Sequence, residues 1–260
     1  MIADTQHLQI RLAHSEHDLR GAQRLRYAVF VEELGATGDL IDHEARLERD
    51  EFDAHVDHLI LVDPKVDPES HDHVVGLYRL MTSDAAARLG RYYSEGEYDL
   101  SPLTSSGRKL LELGRSCLKA HHRGGTGMYL LWNALARYVE ENDIEVMFGV
   151  ASFHGTDPKA LAQPLGYLHH RHLAPEDLRV RSRIPLAMDQ LAEGQIDRVK
   201  AIGQVPALIK AYLRLGGYVG EGAYVDHAFN TTDVCLVLDR ARMSDRQKSI
   251  YSGSESARLG

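Results

Sequence analysis

The chain has 260 residues, of which 43% are hydrophobic and 26% are charged, and its formal net charge is −8. This composition is typical of a soluble globular protein, and the negative charge argues against general nucleic-acid binding. No apolar run approaches the about 20 residues of a membrane span, and the N-terminus lacks a signal peptide's apolar segment, so a cytoplasmic location is predicted. Cys117 and Cys235 lie in apolar runs, which favours reduced core thiols over a disulfide.

Hydrophobic periodicity predicts the first elements of the chain. A strand is expected at residues 8–13, and a helix at residues 16–34 with Gly35 as its C-cap. Two further strands are expected at residues 57–63 and 74–82. The polar segment between them and the helix, residues 37–53, is rich in Asp and Glu. It is either a solvated loop or a lid whose carboxylates face a cationic substrate.

The central stretch predicts a strand, a Gly-rich turn, a helix and a second strand. The first strand, residues 110–118, is apolar except for Glu112 and Arg115. The turn, residues 122–127, contains three glycines before a helical pattern, and residues 144–151 form the second strand. Such a turn presents backbone N–H groups and a helix N-terminus to an anion. It matches neither a Walker A loop nor a Rossmann fingerprint, so a turn that only closes a βαβ unit is the alternative.

The remaining sequence predicts helices at residues 157–165, 185–197 and 205–215 and a last strand at residues 233–238. This order of elements is that of an α+β protein with a mixed sheet. We expect one domain over residues 1–240, with a core at 8–200 and a C-terminal extension of helix and strand at 201–240. A polar, partly disordered tail is expected at residues 241–260.

The turn resembles that of the GCN5-related N-acyltransferase superfamily, in which Q/R-x-x-G-x-G/A holds the phosphopantetheine or pyrophosphate of an acyl donor. Here the glycines are Gly125 and Gly127, and Arg123 can substitute for His122 at the first position. The resemblance implies a twisted mixed β-sheet flanked by helices. It also implies a set of donor-binding residues: Ser116, Cys117 and Leu118, whose backbone pairs with the pantetheine, and Arg123, Gly124, Gly125 and Gly127, which face the phosphate.

Four further motifs resemble the acyl-homoserine-lactone synthases. They are R-x-x-x-F at Arg26 and Phe30, D-x-x-D at Asp50 and Asp53, a strand arginine at Arg79, and E-x-x-R at Glu112 and Arg115. The Trp that those synthases place after the Phe is absent. Longer segments, among them ELGRSCLKAHHRGG, PLGYLHHRHLAPEDLRV and VPALIKAYLRLGG, look like the L-ornithine Nα-acyltransferases.

That resemblance implies an enzyme, an N-acyltransferase that moves a fatty acyl chain, often 3-hydroxylated in that family, from acyl-carrier protein to the α-amino group of L-ornithine, the first step of ornithine lipid synthesis. The partners would be acyl-carrier protein and ornithine, with peripheral contact to membrane lipid left open. No permanently bound cofactor and no metal are expected, because the acyl-phosphopantetheine is a substrate. The alternatives are another amino-acid acceptor, synthesis of an acyl-homoserine-lactone signal, or a non-catalytic regulator that binds the acyl-carrier protein.

The implied roles of single residues leave alternatives open. Glu112 is the candidate base, with a pKa raised by burial, or a partner in a structural ion pair. Arg115 falls on the opposite face of the strand unless a bulge intervenes. Arg26 and Arg79 would hold the acceptor carboxylate or order the acidic segment. Cys117 lacks an adjacent base, so a core thiol is favoured over a nucleophile. The basic run at residues 169–172 is expected to be a docking surface and not a metal site.

Overall fold

The computed structural model describes residues 7–123 and 126–251. The strands are β1 (Gln9–Leu12), β2 (Ile41–Asp42), β3 (Leu47–Glu48), β4 (Asp57–Val62), β5 (Val74–Thr82), β6 (Tyr98–Asp99), β7 (Leu110–Leu118), β8 (Val146–His154), β9 (Arg181–Ser182), β10 (Tyr218–Val219), β11 (Tyr224–Asp226) and β12 (Thr231–Asp239). The α-helices are α1 (Glu16–Arg26), α2 (Ser83–Leu89), α3 (Ser101–Thr104), α4 (Thr126–Glu141), α5 (Ala162–His172), α6 (Arg198–Gln204), α7 (Ala207–Arg214) and α8 (Asp245–Tyr251). A π-helix, Tyr27–Glu33, follows α1, and the 3-10 helices are Pro68–Ser70, Tyr93–Gly96, Ala120–His122, Glu176–Leu178, Glu193–Gln195 and Arg240–Arg242.

The described chain forms two compact units, which are taken one at a time. The first contains residues 7–90 and the described part of 113–143, and the second contains residues 91–112 and 144–250. In the first unit, β4 lies between β1 and β5 and is antiparallel to both. Residues 113–118 of β7 continue the order beside β5, and α1 and α4 pack against these strands.

The first helix changes its type along its length, which its sequence does not predict. It begins as expected, because the Ser15 side chain accepts a hydrogen bond from Asp18 N over 3.1 Å and caps the first turn. The chain is helical over almost all of the predicted residues 16–34, but α1 ends at Arg26 and the chain continues as the π-helix. The π-helix is only seven residues long, and over so short a stretch its different spacing is not distinguished by hydrophobic periodicity.

The second unit contains both parallel and antiparallel pairs. The first three residues of β7 pair with β8 in parallel, in the register Leu110↔Val146. β12 runs antiparallel to β8 over nine residues, and both β10 and β11 pair with β12. The short strands β6 and β9 pair separately, with Tyr98 opposite Ser182. The expected α+β class with a mixed sheet is therefore confirmed.

Two helices of the second unit were predicted wrongly. The helix expected at residues 157–165 begins only at Ala162, and Pro164 lies in its first turn, where the missing N–H costs little. No α-helix forms at residues 185–197, because the backbone of Leu186 exchanges hydrogen bonds of 2.8 and 2.9 Å with Ala223. The helix predicted at residues 205–215 is confirmed as α7, and Gly216 follows it with φ +88°.

The end of the described chain is helical as far as α8. The part of the predicted polar tail beyond it, residues 252–260, lies outside the described residues. Within residues 7–123 and 126–251, no helix combines the length and the apolar character that crossing a membrane requires.

Candidate active site

Six charged side chains are buried together in the first unit, and we call them the buried charge cluster. Its members are Arg26, Glu48, Asp50, Asp53, Arg79 and Arg115. None of the six is more than 8% exposed. Three guanidinium groups face three carboxylates, so the ionised cluster has no net charge. Mutual pairing of this kind is what makes buried charges tolerable.

Arg26 and Arg79 each contact two carboxylates. Arg26, at the end of α1, donates from Nη1 to Asp53 Oδ1 over 2.5 Å and from Nε to Glu48. Arg79, on β5, donates from Nη1 to Asp50 Oδ2 over 2.6 Å and to Asp53 Oδ1 over 3.2 Å. Asp50 and Asp53 lie in the turn that follows β3. Both arginines therefore contact the acidic segment, and whether they order it or bind the acceptor carboxylate stays a prediction.

Arg115 reaches the same cluster from an unusual backbone position. Its φ of +50° lies in the left-handed region, which interrupts the regular alternation of side chains along β7. Its Nε lies 3.3 Å from Glu48 Oε1, and its Nη2 lies 3.2 Å from Asp50 Oδ2. The irregular strand thus directs this guanidinium towards the acidic segment. Residues inside a strand that adopt such a conformation are found frequently at functional sites.

Burial and the cluster charges shift the pKa values of Asp53 and of the adjacent His58. Burial opposes ionisation of Asp53, but Arg26 and Arg79 outweigh it and hold the pKa of this carboxyl well below its usual range. His58 lies opposite Arg79 in the β4–β5 register, and its Nε2 lies 2.9 Å from Asp53 O. Burial lowers the pKa of His58, so this imidazole is neutral near pH 7. The acidic segment is consequently tied down by its backbone as well as its carboxylates.

The sequence motifs include Phe30 but do not include Glu48, although both lie in or near the buried charge cluster. Phe30, from R-x-x-x-F, lies in the π-helix and packs partly buried against the core that includes Val29 and Leu77. Glu48 is outside D-x-x-D, yet it is fully buried and contacts both Arg26 and Arg115. In the sequence Glu48 lies between Leu47 and Arg49, and nothing there distinguishes it from the other acidic residues of that segment.

Glu112 lies in the second unit and is 3% exposed. Its carboxylate accepts hydrogen bonds from Tyr93 N over 2.8 Å and from Ser94 N over 2.7 Å, and also from Ser94 Oγ. The two amides open the 3-10 helix Tyr93–Gly96, so the carboxylate caps that helix. These donors fix the orientation of the Glu112 carboxyl group at the end of the parallel part of β7.

The expected pantetheine-binding strand is only partly accessible. Ser116 is half-buried, whereas Cys117 and Leu118 are buried. Burial raises the pKa of the Cys117 thiol to about 12. A thiol of this kind is protonated near neutral pH, and the thiolate is the nucleophilic form. The chemistry of Cys117 therefore matches a core residue, and the contribution of this segment to donor binding would come from its backbone.

The turn after β7 leads into α4, which begins at Thr126. A Cβ on Gly127 would lie 3.2 Å from His122 O and 3.3 Å from Leu118 Cδ2, so this position leaves little room for a side chain. Arg123 donates from Nε to Leu118 O over 2.9 Å and from both Nη atoms to Glu33. Gly124 and Gly125, which complete the predicted phosphate loop, lie outside the described residues.

One group of carboxylates in the second unit was not predicted from the sequence. Carboxylate oxygens of Glu97, Asp226 and Asp233 all lie within 4.8 Å of one another. Tyr98 OH donates to Asp233 O over 2.9 Å, and burial, together with the nearby carboxylates of Glu97 and Asp233, raises the pKa of Tyr98 well above its usual value. The three acidic residues are distant in sequence, and only the pairing of β11 with β12 and the fold around β6 bring them together.

Comparison with known proteins gives consistent matches over most of the chain. A model of the acetyltransferase (GNAT) domain matches residues 25–133. The L-ornithine N(alpha)-acyltransferase of Rhodobacter capsulatus is 59% identical over 94% of this chain and 94% of its own length. The enzyme of the same name from Brucella abortus is 41% identical, covering 97% of this chain and 91% of its own length. The one from Rhizobium meliloti is 38% identical, covering 97% and 86%.

Solved structures with the same fold include two acyl-transferring synthases. A CoA-dependent acyl-homoserine lactone synthase, BjaI, aligns with a TM-score of 0.53 at 12% identity, covering 96% of this chain and 90% of that chain. FeeM, an N-acyl amino acid synthase from uncultured soil microbes, aligns with a TM-score of 0.50 at 12% identity, covering 90% and 92%. At this level of identity the likeness concerns the fold, and the expected N-acyltransferase fold is confirmed.

Proposed function

The chain belongs to the L-ornithine Nα-acyltransferase family, and we propose that it transfers a 3-hydroxy fatty acyl chain from acyl-carrier protein to the α-amino group of L-ornithine. The observation that carries this proposal is the 59% identity to a relative of that name over 94% of both chains. The reaction is the first step of ornithine lipid synthesis. We further propose that the protein acts in the cytoplasm and contacts the membrane peripherally.

The chemistry is amide formation from a thioester. The neutral amine attacks the thioester carbonyl, the C–N bond forms, and the C–S bond breaks to release the pantetheine thiol. The ammonium of ornithine must first lose a proton, and the departing sulfur must gain one. A ternary complex of the two substrates is sufficient for this sequence, and the protonated, buried thiol of Cys117 argues against a covalent acyl-enzyme.

Glu112 is our candidate for the base, acting directly or through a water. It is buried, and its carboxylate is held in one orientation by Tyr93 and Ser94. The alternative is that Glu112 only anchors the 3-10 helix it caps.

The buried charge cluster has a positioning role in this proposal. Arg26, Arg79 and Arg115 hold Asp50 and Asp53, so the acidic segment keeps one conformation in the absence of substrate. Holding a segment in its working conformation beforehand lowers the entropic cost of binding. The role of Phe30 is to fix the π-helix against the core from which Arg26 emerges.

The donor is proposed to bind along the turn between β7 and α4. The backbone of Ser116 to Leu118 would pair with the pantetheine amides, as an added strand would. The N-terminus of α4 and the Arg123 guanidinium would face the phosphate, together with the amides of Gly124, Gly125 and Gly127. Acyl-carrier protein presents this arm as a substrate, so no resident cofactor or metal is part of the proposal.

Thiol release from 3-hydroxyacyl-carrier protein tests the function. Wild-type protein is incubated with ornithine, with each of the twenty amino acids, and without amine, and the acyl product is identified by mass spectrometry. Release that depends on ornithine is the expected result. Equal release with another amino acid would show that ornithine is not the specific acceptor. Tight binding of the donor without thiol release would favour the non-catalytic regulator.

Glu112→Gln separates the two roles of Glu112. As a base, its loss should lower kcat by about 10²- to 10⁴-fold with the KM for the donor unchanged. Ser94→Ala is the matched control, because it removes one donor to Glu112 while leaving the carboxylate in place. If Glu112→Gln and Ser94→Ala both lower stability while kcat per folded molecule stays constant, Glu112 is an anchor and not the base.

A further inference from the structure

Arg123 already holds an anion in this structure, the carboxylate of Glu33. Nη2 of Arg123 donates to Glu33 Oε2 over 2.7 Å, and Nη1 donates to Oε1. This is the two-pronged arrangement with which a guanidinium binds carboxylates and phosphates alike. Arg123 lies between the pantetheine-binding strand and α4, which is where the proposed function places the phosphate of the donor.

The guanidinium is fixed independently of Glu33. Its third nitrogen, Nε, donates to Leu118 O over 2.9 Å. Arg123 therefore keeps its position when Glu33 leaves, and its two Nη atoms remain directed as a fork for another anion. The side chains of Arg123 and Glu33 are each 39% exposed, so a ligand can approach the fork from solvent.

Arg123 is the side chain that holds the Glu33 carboxylate at that place. Glu33 is the last residue of the π-helix, and a negative charge at the C-terminal end of a helix is unfavourable. The backbone around it is already capped, because Leu34 N donates to Val29 O over 3.1 Å and Gly35 N donates to Val31 O over 3.0 Å. Rotation of the Glu33 side chain alone is then enough to open the fork, with no change in the backbone.

We propose that Glu33 is a built-in competitor of the donor, whose carboxylate occupies the phosphate-binding fork of Arg123 until the phosphopantetheine phosphate displaces it. This proposal rests on the proposed function only in the use of a phosphopantetheine donor. Glu33 lowers the affinity for that donor and keeps the fork from binding weak anions. A phosphate displaces the carboxylate because it brings further oxygens to the N-terminal end of α4.

The experiment measures binding of 4′-phosphopantetheine by isothermal titration calorimetry, with no acyl chain and no amine present. Glu33→Gln should bind the probe roughly 1.5- to 5-fold more tightly than wild type, which corresponds to loss of an exposed ion pair. Glu32→Gln is the matched control, because Glu32 is the preceding residue and forms its own exposed ion pair with Arg46. It removes the same charge and should leave the affinity unchanged.

A double variant identifies the contact. In the Arg123→Lys background the charge is kept but the fork is lost, and Glu33→Gln should then give no gain. The proposal is overturned if Glu33→Gln binds the probe as wild type does or more weakly, or not at all. It is also overturned if Glu32→Gln gives an equal gain, since the effect is then general charge. Turnover is not involved, so a failure of ornithine acylation would be seen separately in the thiol-release assay.

Discussion

Arg26 and Asp53 form an ion pair in which Nη1 lies 2.5 Å from Oδ1, and neither side chain is more than 4% exposed. Removing one partner of such a pair leaves a buried charge without compensation. Asp53→Asn should therefore lower the free energy of unfolding by about 3–5 kcal/mol. Urea unfolding followed by circular dichroism measures this change.

The matched comparison for that variant is an exposed ion pair on the same helix. Arg20 and Glu16 lie one turn apart on α1 with both side chains more than half exposed. Glu16→Gln should change the free energy of unfolding by about 0.5 kcal/mol or less. An Asp53→Asn variant as stable as Glu16→Gln would show that the cluster does not hold the acidic segment.

The buried carboxylate of Asp18 should make the free energy of unfolding sensitive to acid. Burial opposes its ionisation, but Arg11, His14 N and His73 donate to the carboxylate and hold its pKa well below the usual range. The unfolded chain therefore takes up this proton at a higher pH than the folded chain does. The stabilisation is fully present above a pH of about 4 and is lost as pH falls from there towards the folded-state pKa.

Chemical unfolding at a series of pH values between about 6 and 3 tests this sign. Wild type should lose more free energy of unfolding over that range than Asp18→Asn does, because the variant lacks the titrating carboxyl. Asp39→Asn, which removes an exposed carboxylate, should follow the wild-type curve. Parallel curves for wild type and Asp18→Asn would contradict the assignment.

Gly217 follows α7 in a position that a side chain cannot share. A Cβ there would lie 2.8 Å from the backbone oxygen of Tyr212, which cannot rotate away. Gly217→Ala should lower the free energy of unfolding by about 1–3 kcal/mol. Gly203→Ala is the control, because no atom lies within 4 Å of its added Cβ and the site is inside α6. That variant should be neutral or stabilising by up to about 1 kcal/mol.

Both cysteines should resist alkylation in the native state. Cys117 and Cys235 are buried and free, and burial raises the pKa of each thiol. Treatment with iodoacetamide near neutral pH, read by mass spectrometry, should label neither residue in native protein and both in concentrated urea. Rapid labelling of native Cys117 would reopen the possibility of a nucleophilic thiol.

The features that sequence predicted well are those in which local pattern and burial agree. The apolar runs that became β4, β5 and β12 are buried on both faces, so their composition alone identifies them. The GNAT fold and the N-acyltransferase family followed from motifs, and the comparisons support both. The site residues assigned from those motifs stay a proposal, although the structure does bring Arg26, Asp53 and Arg79 into contact.

The features that sequence missed depend on contacts between distant residues. Glu33 and Arg123 are separated by 90 positions, and nothing in either local pattern indicates a pair. The helix expected at residues 185–197 has suitable composition, but Leu186 finds its partner in Ala223. In each case the competing interaction is tertiary, and tertiary contacts override local propensity.

Because residues 27–33 form a π-helix, the number of residues in this segment determines which side chain contacts Arg123. The hydrogen bonds of the π-helix span five residues, as from Leu34 N to Val29 O, where an α-helix spans four. Deleting one residue from it would allow α-helical bonding to resume and would turn the following side chains by about 100° around the axis. Glu33 would take the place that Glu32 has now, and the ion pairs of Glu32 with Arg46 and of Glu33 with Arg123 would be lost. A single-residue change in length is therefore more disruptive here than most substitutions.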